Sequence, residues 1–185
     1  MEEHISFASE RNRRSEKGNR MTDITLKADN GYFILKTAAI ITRENRILMV
    51  KNGTSPYYYP VGGRVGFYET SESAVVREVY EETFVRLETD RLVFTHENFF
   101  TSDFMDGAPC HEVAFYYLMK QSDDILNARC CSVGFDGSKE SLHWLPIEDL
   151  PSYHLYPEFF KTDLHDLHES VRHFITENER TYRCR

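Results

Sequence analysis

The stretch GRVGFYETSESAVVREVYEETFV, residues 63–85, decides how the rest of this chain is read. Glu69 lies six positions after Gly63, Arg77 eight after Glu69, and the run REVYEE then ends on Glu82. From about Thr70 to Glu82 the spacing predicts a helix, with Thr70 or Ser71 as its N-cap. At roughly 100° per residue, Arg77, Glu78, Glu81 and Glu82 share about 140° of arc, while Val75, Val76 and Val79 take the opposite arc and can face a core. The polar face is therefore almost wholly negative. Glu78 and Glu82 form a like-charge pair one turn apart, near the helix end where the macrodipole disfavours anions. REVYEE alone is satisfied by a solvated acidic face. With Gly63 and Glu69 also in place, the pattern points to a divalent cation. Clustered carboxylate oxygens suit Mg²⁺ or Mn²⁺, hard ions held by a few carboxylates together with substrate phosphate.

Working outward, residues 32–42 (YFILKTAAIIT) predict a central strand. Glu44 and Asn45 predict a turn and RILMVK its hairpin partner. RLVFTHENFF and HEVAFYYLMK predict two further strands, the second with apolar residues on both faces. Residues 121–141 read as an irregular excursion with room for a hairpin, and SLHWLPIEDL as a short strand closing on a turn. The segment PEFFKTDLHDLHESVRHFI predicts a second amphipathic helix, with Phe160, Leu164, Leu167, Val171 and Phe174 as its apolar stripe. His165 and His168 then fall on its solvated face. These elements alone define a mixed α/β domain.

Residues 1–20 are charged and aperiodic and read as a disordered tail. Met21 is a second plausible start, and residues 21–180 are expected to form a single domain. The net charge of −8 and pI of about 5.5 argue against general binding to nucleic acid or anionic membrane. No apolar run approaches the roughly 20 residues of a membrane span, and the polar N-terminus is no secretory signal. Cys110, Cys130, Cys131 and Cys184 form no CxxC pair, so they read as free thiols and the expected location is cytoplasmic.

The pattern of residues 63–85 resembles the signature of the Nudix hydrolases: a glycine, five residues, Glu, seven residues, then Arg-Glu-aliphatic-any-Glu-Glu-any-Gly-aliphatic. Gly63, Glu69, Arg77, Glu78, Val79, Glu81, Glu82 and Val85 match. Phe84 stands in place of the last glycine, and Gly66 and Tyr68 replace the Glu and Gly usual before Glu69. A glycine at the helix end takes a left-handed conformation unfavourable for phenylalanine, so the helix exit is expected to be rebuilt. ENFF, HEVAFYYLM and PEFF are also similar to a bacterial subgroup of the family, a resemblance that implies no substrate.

Through the strand order, the resemblance extends to about residues 32–150. It implies an α/β/α sandwich with a mixed β-sheet, in which the C-terminal helix covers the side opposite the signature helix. It also implies metal-dependent hydrolysis of a nucleoside diphosphate linked to another moiety, with Mg²⁺ or Mn²⁺ as cofactor and a small-molecule nucleotide or diphosphate as partner. Carried over residue by residue, Glu78, Glu81 and Glu82 are the metal ligands, with the Gly63 carbonyl as a further one. Arg77 orients a glutamate or holds Glu69, and Glu69 fixes the loop–helix junction. The general base is expected outside the signature, at Glu97 or Glu112, with Glu112 the better placed. His96 and His111 are candidates to assist binding. Tyr57, Tyr58, Tyr59, Phe99 and Phe100 are aromatic enough to stack on a base; Tyr59, Arg64 and Phe99 are the candidate substrate contacts. Phe84, Gly66 and Tyr68 leave a second reading, a non-catalytic nucleotide sensor on the same fold. The aromatic excess is compatible with a homodimer.

Overall fold

The computed structural model describes residues 22–53, 56–102, 105–130, 138–177 and 180–184. The expected tail over residues 1–20, the alternative start at Met21 and the centre of the expected hairpin lie outside the described residues.

The strands are β1 (Thr25–Ala28), β2 (Gly31–Ile40), β3 (Thr42–Arg43), β4 (Arg46–Asn52), β5 (Tyr59–Pro60) and β6 (Gly62–Arg64), followed by helix α1 (Ser71–Thr83). Then come β7 (Thr89–Ser102), β8 (Ala108–Met119), β9 (Glu140–Pro146), the single-turn helix α2 (Phe160–Asp163), β10 (Arg172–Glu177) and β11 (Arg180–Arg183). A seven-stranded sheet runs β1-β2-β8-β7-β10-β11, with β6 on β2; a four-stranded sheet runs β3-β4-β5, with β9 on β4. β2 pairs with β8, and β10 with β7, in parallel, while the other pairs are antiparallel. The fold is thus a mixed α/β sandwich.

Glu44 and Asn45 both take left-handed conformations and close the expected tight turn. The hairpin partner of RILMVK across that turn is the two-residue β3, however; β2 belongs to the other sheet. The chain steps from one sheet to the other at Ile41, which is buried between them.

Helix α1 forms as its spacing dictates. The Thr70 side chain accepts from the Ser73 amide at 3.1 Å, and Glu72 sits in the first turn, where the dipole favours it. Val75 and Val79 are fully buried against Ala39, Leu48, Val50 and Val61. Each such valine contributes on the order of 2 kcal/mol. Ser71 is tied by a 2.8 Å hydroxyl–hydroxyl bond to Tyr117 of β8, which fixes the helix start over the sheet.

The exit of α1 differs from expectation. It is not rebuilt: Phe84 itself adopts the left-handed conformation, at φ 59° and ψ 14°. Its amide donates to the Tyr80 carbonyl at 2.8 Å, its ring lies edge-on to Tyr80, and Arg86 stacks over the same Tyr80 ring at 4.3 Å. Tyr68, the other aromatic at a glycine position, is also left-handed, at φ 65°.

The expected C-terminal helix is corrected most. Helix lasts one turn, Phe160–Asp163, and the chain then extends into β10 alongside β7. Burial of Arg172, Phe174 and Thr176 alternates with half-exposure of His173 and Ile175, a strand period, and Val171 of the supposed stripe is exposed. Arg172 holds the junction by donating to the Asp163 carboxylate at 2.6 Å and to the carbonyls of Asp163 and Asp166. Arg91 takes the Leu167 carbonyl. These guanidinium groups occupy acceptors at the helix end. A 3-10 segment, Ile147–Ser152, and the α2 turn therefore cover the second face, burying Leu150, Phe159, Phe160 and Leu164 against Phe94 and Phe174. His165 and His168 are exposed, as expected.

Candidate active site

β6 runs along the edge of β2, with Gly63 opposite Thr37 and Arg64 opposite Lys36. Helix α1 crosses this edge. A Cβ on Gly63 would lie 2.4 Å from the Glu78 carboxyl, so only glycine lets the two approach. Glu82 accepts from the Gly62 amide, yet its Oε2 is buried without a hydrogen-bond partner among the described residues. Burial, then the charges of Glu78 and Glu140, push the Glu82 carboxyl well above the usual carboxylate range, against the pull of the Gly62 amide and Lys36.

Arg77 organises the signature residues. Its Nε and Nη2 each donate to Glu69 at 2.8 Å, Nη1 donates to Glu78 at 2.8 Å, and Nη2 also reaches the Arg64 carbonyl at 3.1 Å. Glu81 is farther, at 3.5 Å, and half-exposed. Glu69 is clamped from its other side by the Gly66 amide at 2.9 Å. Burial opposes ionisation of Glu69, but the Arg77 hydrogen bonds, the Gly66 amide and the Arg77 charge outweigh it and hold the carboxyl below its ordinary range. Glu69 and Arg77 thus pin the β6–α1 loop to the helix that carries the other glutamates.

Among the described residues, no three His, Cys, Asp or Glu side chains converge as a preformed metal cage. Glu78 meets the Arg77 guanidinium instead, at 2.8 Å. The site nevertheless fits a divalent ion. An orphaned buried carboxylate oxygen on Glu82 stands beside Glu78, in a place kept open by Gly63.

The residues expected outside the signature are distributed unevenly. Tyr59 comes to the site, with its hydroxyl donating to Glu140 Oε1 at 2.9 Å. Burial, then the charges of Glu140 and Glu82, raise its pKa, so the phenol stays protonated. Glu140, at the start of β9, is a carboxylate that sequence reasoning missed; no spacing rule links it to residues 63–85. Arg64 lies 3.9 Å from Asp23. Glu97 sits between His111 at 3.6 Å and His173 at 2.9 Å. Three strand spacings separate it from Gly63, about 14 Å. Phe99 stacks on His111 at 4.3 Å, on the same sheet face as Glu97 and far along the strands from Gly63. His96 is fully buried, bonded to the Thr176 hydroxyl at 2.7 Å, and is a core residue. Glu112 lies within β8, with Lys36 at 3.6 Å.

The family profile described as NUDIX domain matches residues 33–165, and the chain belongs to this family. A MutT NUDIX hydrolase from Burkholderia pseudomallei is 30% identical, with 64% of this chain and 87% of that one covered, at a TM-score of 0.50. A mutator MutT protein from Bacillus halodurans shares the fold at a TM-score of 0.59, 15% identity and coverage of 79% and 92%. A MutT-like protein of Streptomyces ambofaciens is 34% identical over 65 residues, 35% of this chain and 42% of the relative's length. The match therefore spans less than half of that curated relative. Among the described residues no helix is long and apolar enough to cross a membrane.

Proposed function

We propose that this protein is a divalent-metal-dependent hydrolase that cleaves the pyrophosphate bond of a nucleoside diphosphate linked to another moiety. The observation that carries this reading is the orphaned Glu82 oxygen beside Glu78, over a glycine whose replacement would displace the Glu78 carboxyl. Glu78, Glu81, Glu82 and the Gly63 carbonyl would hold Mg²⁺ or Mn²⁺. When bound, such an ion neutralises the diphosphate and lowers the pKa of the attacking water. Arg77 positions Glu78, and Glu69 positions Arg77. Lys36, opposite Arg64 at the strand edge, offers an ammonium to a phosphoryl oxygen. Glu140, oriented by the Tyr59 hydroxyl, is the carboxylate outside the signature best placed to take the proton of the attacking water.

The departures at Phe84 and Tyr68 do not favour the sensor reading. Both residues keep the left-handed backbone that glycine would give, so the path of the loop and of the helix end is preserved. Reduced thiols at Cys110 and Cys184 agree with a cytoplasmic location.

The test is a Mg²⁺- and Mn²⁺-dependent hydrolysis screen over nucleoside triphosphates, nucleotide sugars, ADP-ribose, dinucleotides and coenzyme A. Glu81→Gln serves as the comparison. Turnover that needs metal and is lost in Glu81→Gln, with thermal stability kept, supports the reading. Nucleotide binding without turnover on any compound favours the sensor.

A further inference from the structure

The loop between β6 and α1 is held from its outer side by a segment remote in sequence. β1 and β6 share one edge of β2. β1 pairs with residues 31–34 and β6 with residues 36–38, which leaves Leu35 between them. A ring of backbone hydrogen bonds closes that gap. The Ile24 amide donates to the Val65 carbonyl at 2.8 Å, the Val65 amide to the Leu35 carbonyl at 3.0 Å, and the Leu35 amide to the Ile24 carbonyl at 3.2 Å. Farther along, the Phe67 amide donates to the Thr22 carbonyl at 2.8 Å, and Asp23 forms an antiparallel bridge with Gly66. Residues 22–24 thus run as a short extra strand beside residues 65–67.

The loop needs this second hold. β6 is three residues long and two of them are glycines, which bring no side chain to pack. Position 66 is a glycine as well, with no side chain to anchor the loop. Yet the site depends on where the loop backbone lies. The Gly66 amide clamps Glu69 at 2.9 Å, the Arg64 carbonyl takes Arg77 at 3.1 Å, and Gly63 leaves the space that the Glu78 carboxyl fills. The bonds from residues 22–24 flank Gly66 on both sides, at Val65 and Phe67. Their loss would free the Gly66 amide from Glu69, loosen Glu69 from Arg77, and so release the guanidinium that positions Glu78.

We propose that residues 22–24 are a positioning strap for the hydrolytic site: by pairing with residues 65–67 they fix the Gly66 amide and, through Glu69 and Arg77, the place of Glu78. The inference rests on the pyrophosphohydrolase reading above. Such a strap acts on the rate of the chemical step, because a displacement of about 1 Å at a group that orders the reacting centre costs on the order of 100-fold in rate. Its loss therefore lowers kcat more than it raises KM.

The experiment compares the wild type, Ile24→Pro and Leu26→Ala as full chains. It reads amide hydrogen exchange, the thermal midpoint, Mn²⁺ affinity, and kcat and KM on a compound turned over in the screen. Proline removes the Ile24 N–H and points a ring carbon at the Val65 carbonyl, while Asp23, already bridged to Gly66, has the extended backbone that a following proline favours. Leu26→Ala trims a half-buried side chain of β1 and leaves the strap bonds alone. In the wild type the Phe67 amide should exchange at least about 100-fold slower than a free amide, although Phe67 is 54% exposed. In Ile24→Pro, protection at Val65 and Phe67 should fall about 10-fold or more and Mn²⁺ affinity a few-fold. kcat should fall at least about 10-fold, with KM within about 3-fold. Leu26→Ala should keep kcat and loop protection within about 3-fold of the wild type, whatever it loses in midpoint.

A Phe67 amide that exchanges freely in the wild type would overturn the inference, and that result stands even where Ile24→Pro does not fold. A kcat loss in Leu26→Ala as large as in Ile24→Pro would overturn it too, because the effect would then follow general stability. Metal-dependent turnover at the same kcat in the wild type and Ile24→Pro would sink the inference and leave the pyrophosphohydrolase reading standing. Loop protection and Mn²⁺ affinity that fall in Ile24→Pro, in a protein whose wild type hydrolyses nothing in the screen, would do the reverse.

Discussion

Both carboxylate oxygens of Glu69 are held by Arg77, Nε to Oε1 and Nη2 to Oε2, each at 2.8 Å. This fork spans the loop–helix junction, and the same guanidinium also reaches Glu78. Arg77→Lys keeps the charge and loses the fork. It is expected to cost about 2 kcal/mol, read as a lower urea midpoint. Arg77→Ala leaves the Glu69 side chain, 5% exposed, without its cation. That should cost more, on the order of 3–5 kcal/mol. A midpoint unchanged in both variants would remove Arg77 from its organising role.

Phe84→Gly is expected to stabilise the protein. A left-handed non-glycine residue costs about 1–2 kcal/mol, and the ring of Phe84 is 58% exposed, with Tyr80 as its edge-on neighbour. After the added chain entropy of glycine, a gain of about 0.5–1 kcal/mol should remain, raising Tm by roughly 1–4 °C. Tyr68→Gly should act in the same direction. A lower Tm in Phe84→Gly would mean that the Tyr80–Phe84–Arg86 stack outweighs the backbone strain.

His96 sets an acid limit on stability. Burial, then the charges of His173 and Lys36, push its pKa down to about 4. Above about pH 6.5, the ordinary histidine value, folded and unfolded chains both hold it neutral and it imposes no penalty. As pH falls from about 6.5 towards 4, the unfolded chain takes up a proton that the folded chain refuses, so stability is lost, by about 3 kcal/mol in all. Urea unfolding at pH 7.5 and pH 4.5 should show this loss in the wild type and less of it in His96→Gln. Equal slopes in the two proteins would contradict the buried neutral imidazole.

Gly63→Ala should disable the site more than the fold. The new Cβ would meet the Glu78 carboxyl at 2.4 Å and push it aside. Metal-dependent turnover should fall at least about 100-fold, whereas circular dichroism stays that of a folded protein. Turnover near the wild-type rate would show that Glu78 does not need its place over Gly63.

What could be read from the sequence was local. Helix α1, its Thr70 cap and the Glu44–Asn45 turn follow from spacing and turn chemistry within a few residues. The C-terminal segment was ambiguous because two periods coexist there. Phe160, Leu164, Leu167, Val171 and Phe174 fit a helix, while Arg172, Phe174 and Thr176 fit a strand, and pairing with β7, remote in sequence, decides between them. Rebuilding at Phe84 was expected from a conformational preference that the surrounding contacts override. Glu140 carries no local signal, because only the pairing of β4 with both β5 and β9 brings it to Tyr59.

The most direct measurement is Mn²⁺ binding by electron paramagnetic resonance on wild type and Glu82→Gln, beside hydrolysis rates on whichever compound the screen identifies. The expected result is Mn²⁺ bound by the wild type, with affinity weakened at least about 10-fold and turnover abolished in Glu82→Gln at unchanged thermal stability. A Glu82→Gln protein that binds Mn²⁺ and turns over like the wild type would contradict the assignment of the metal site to helix α1.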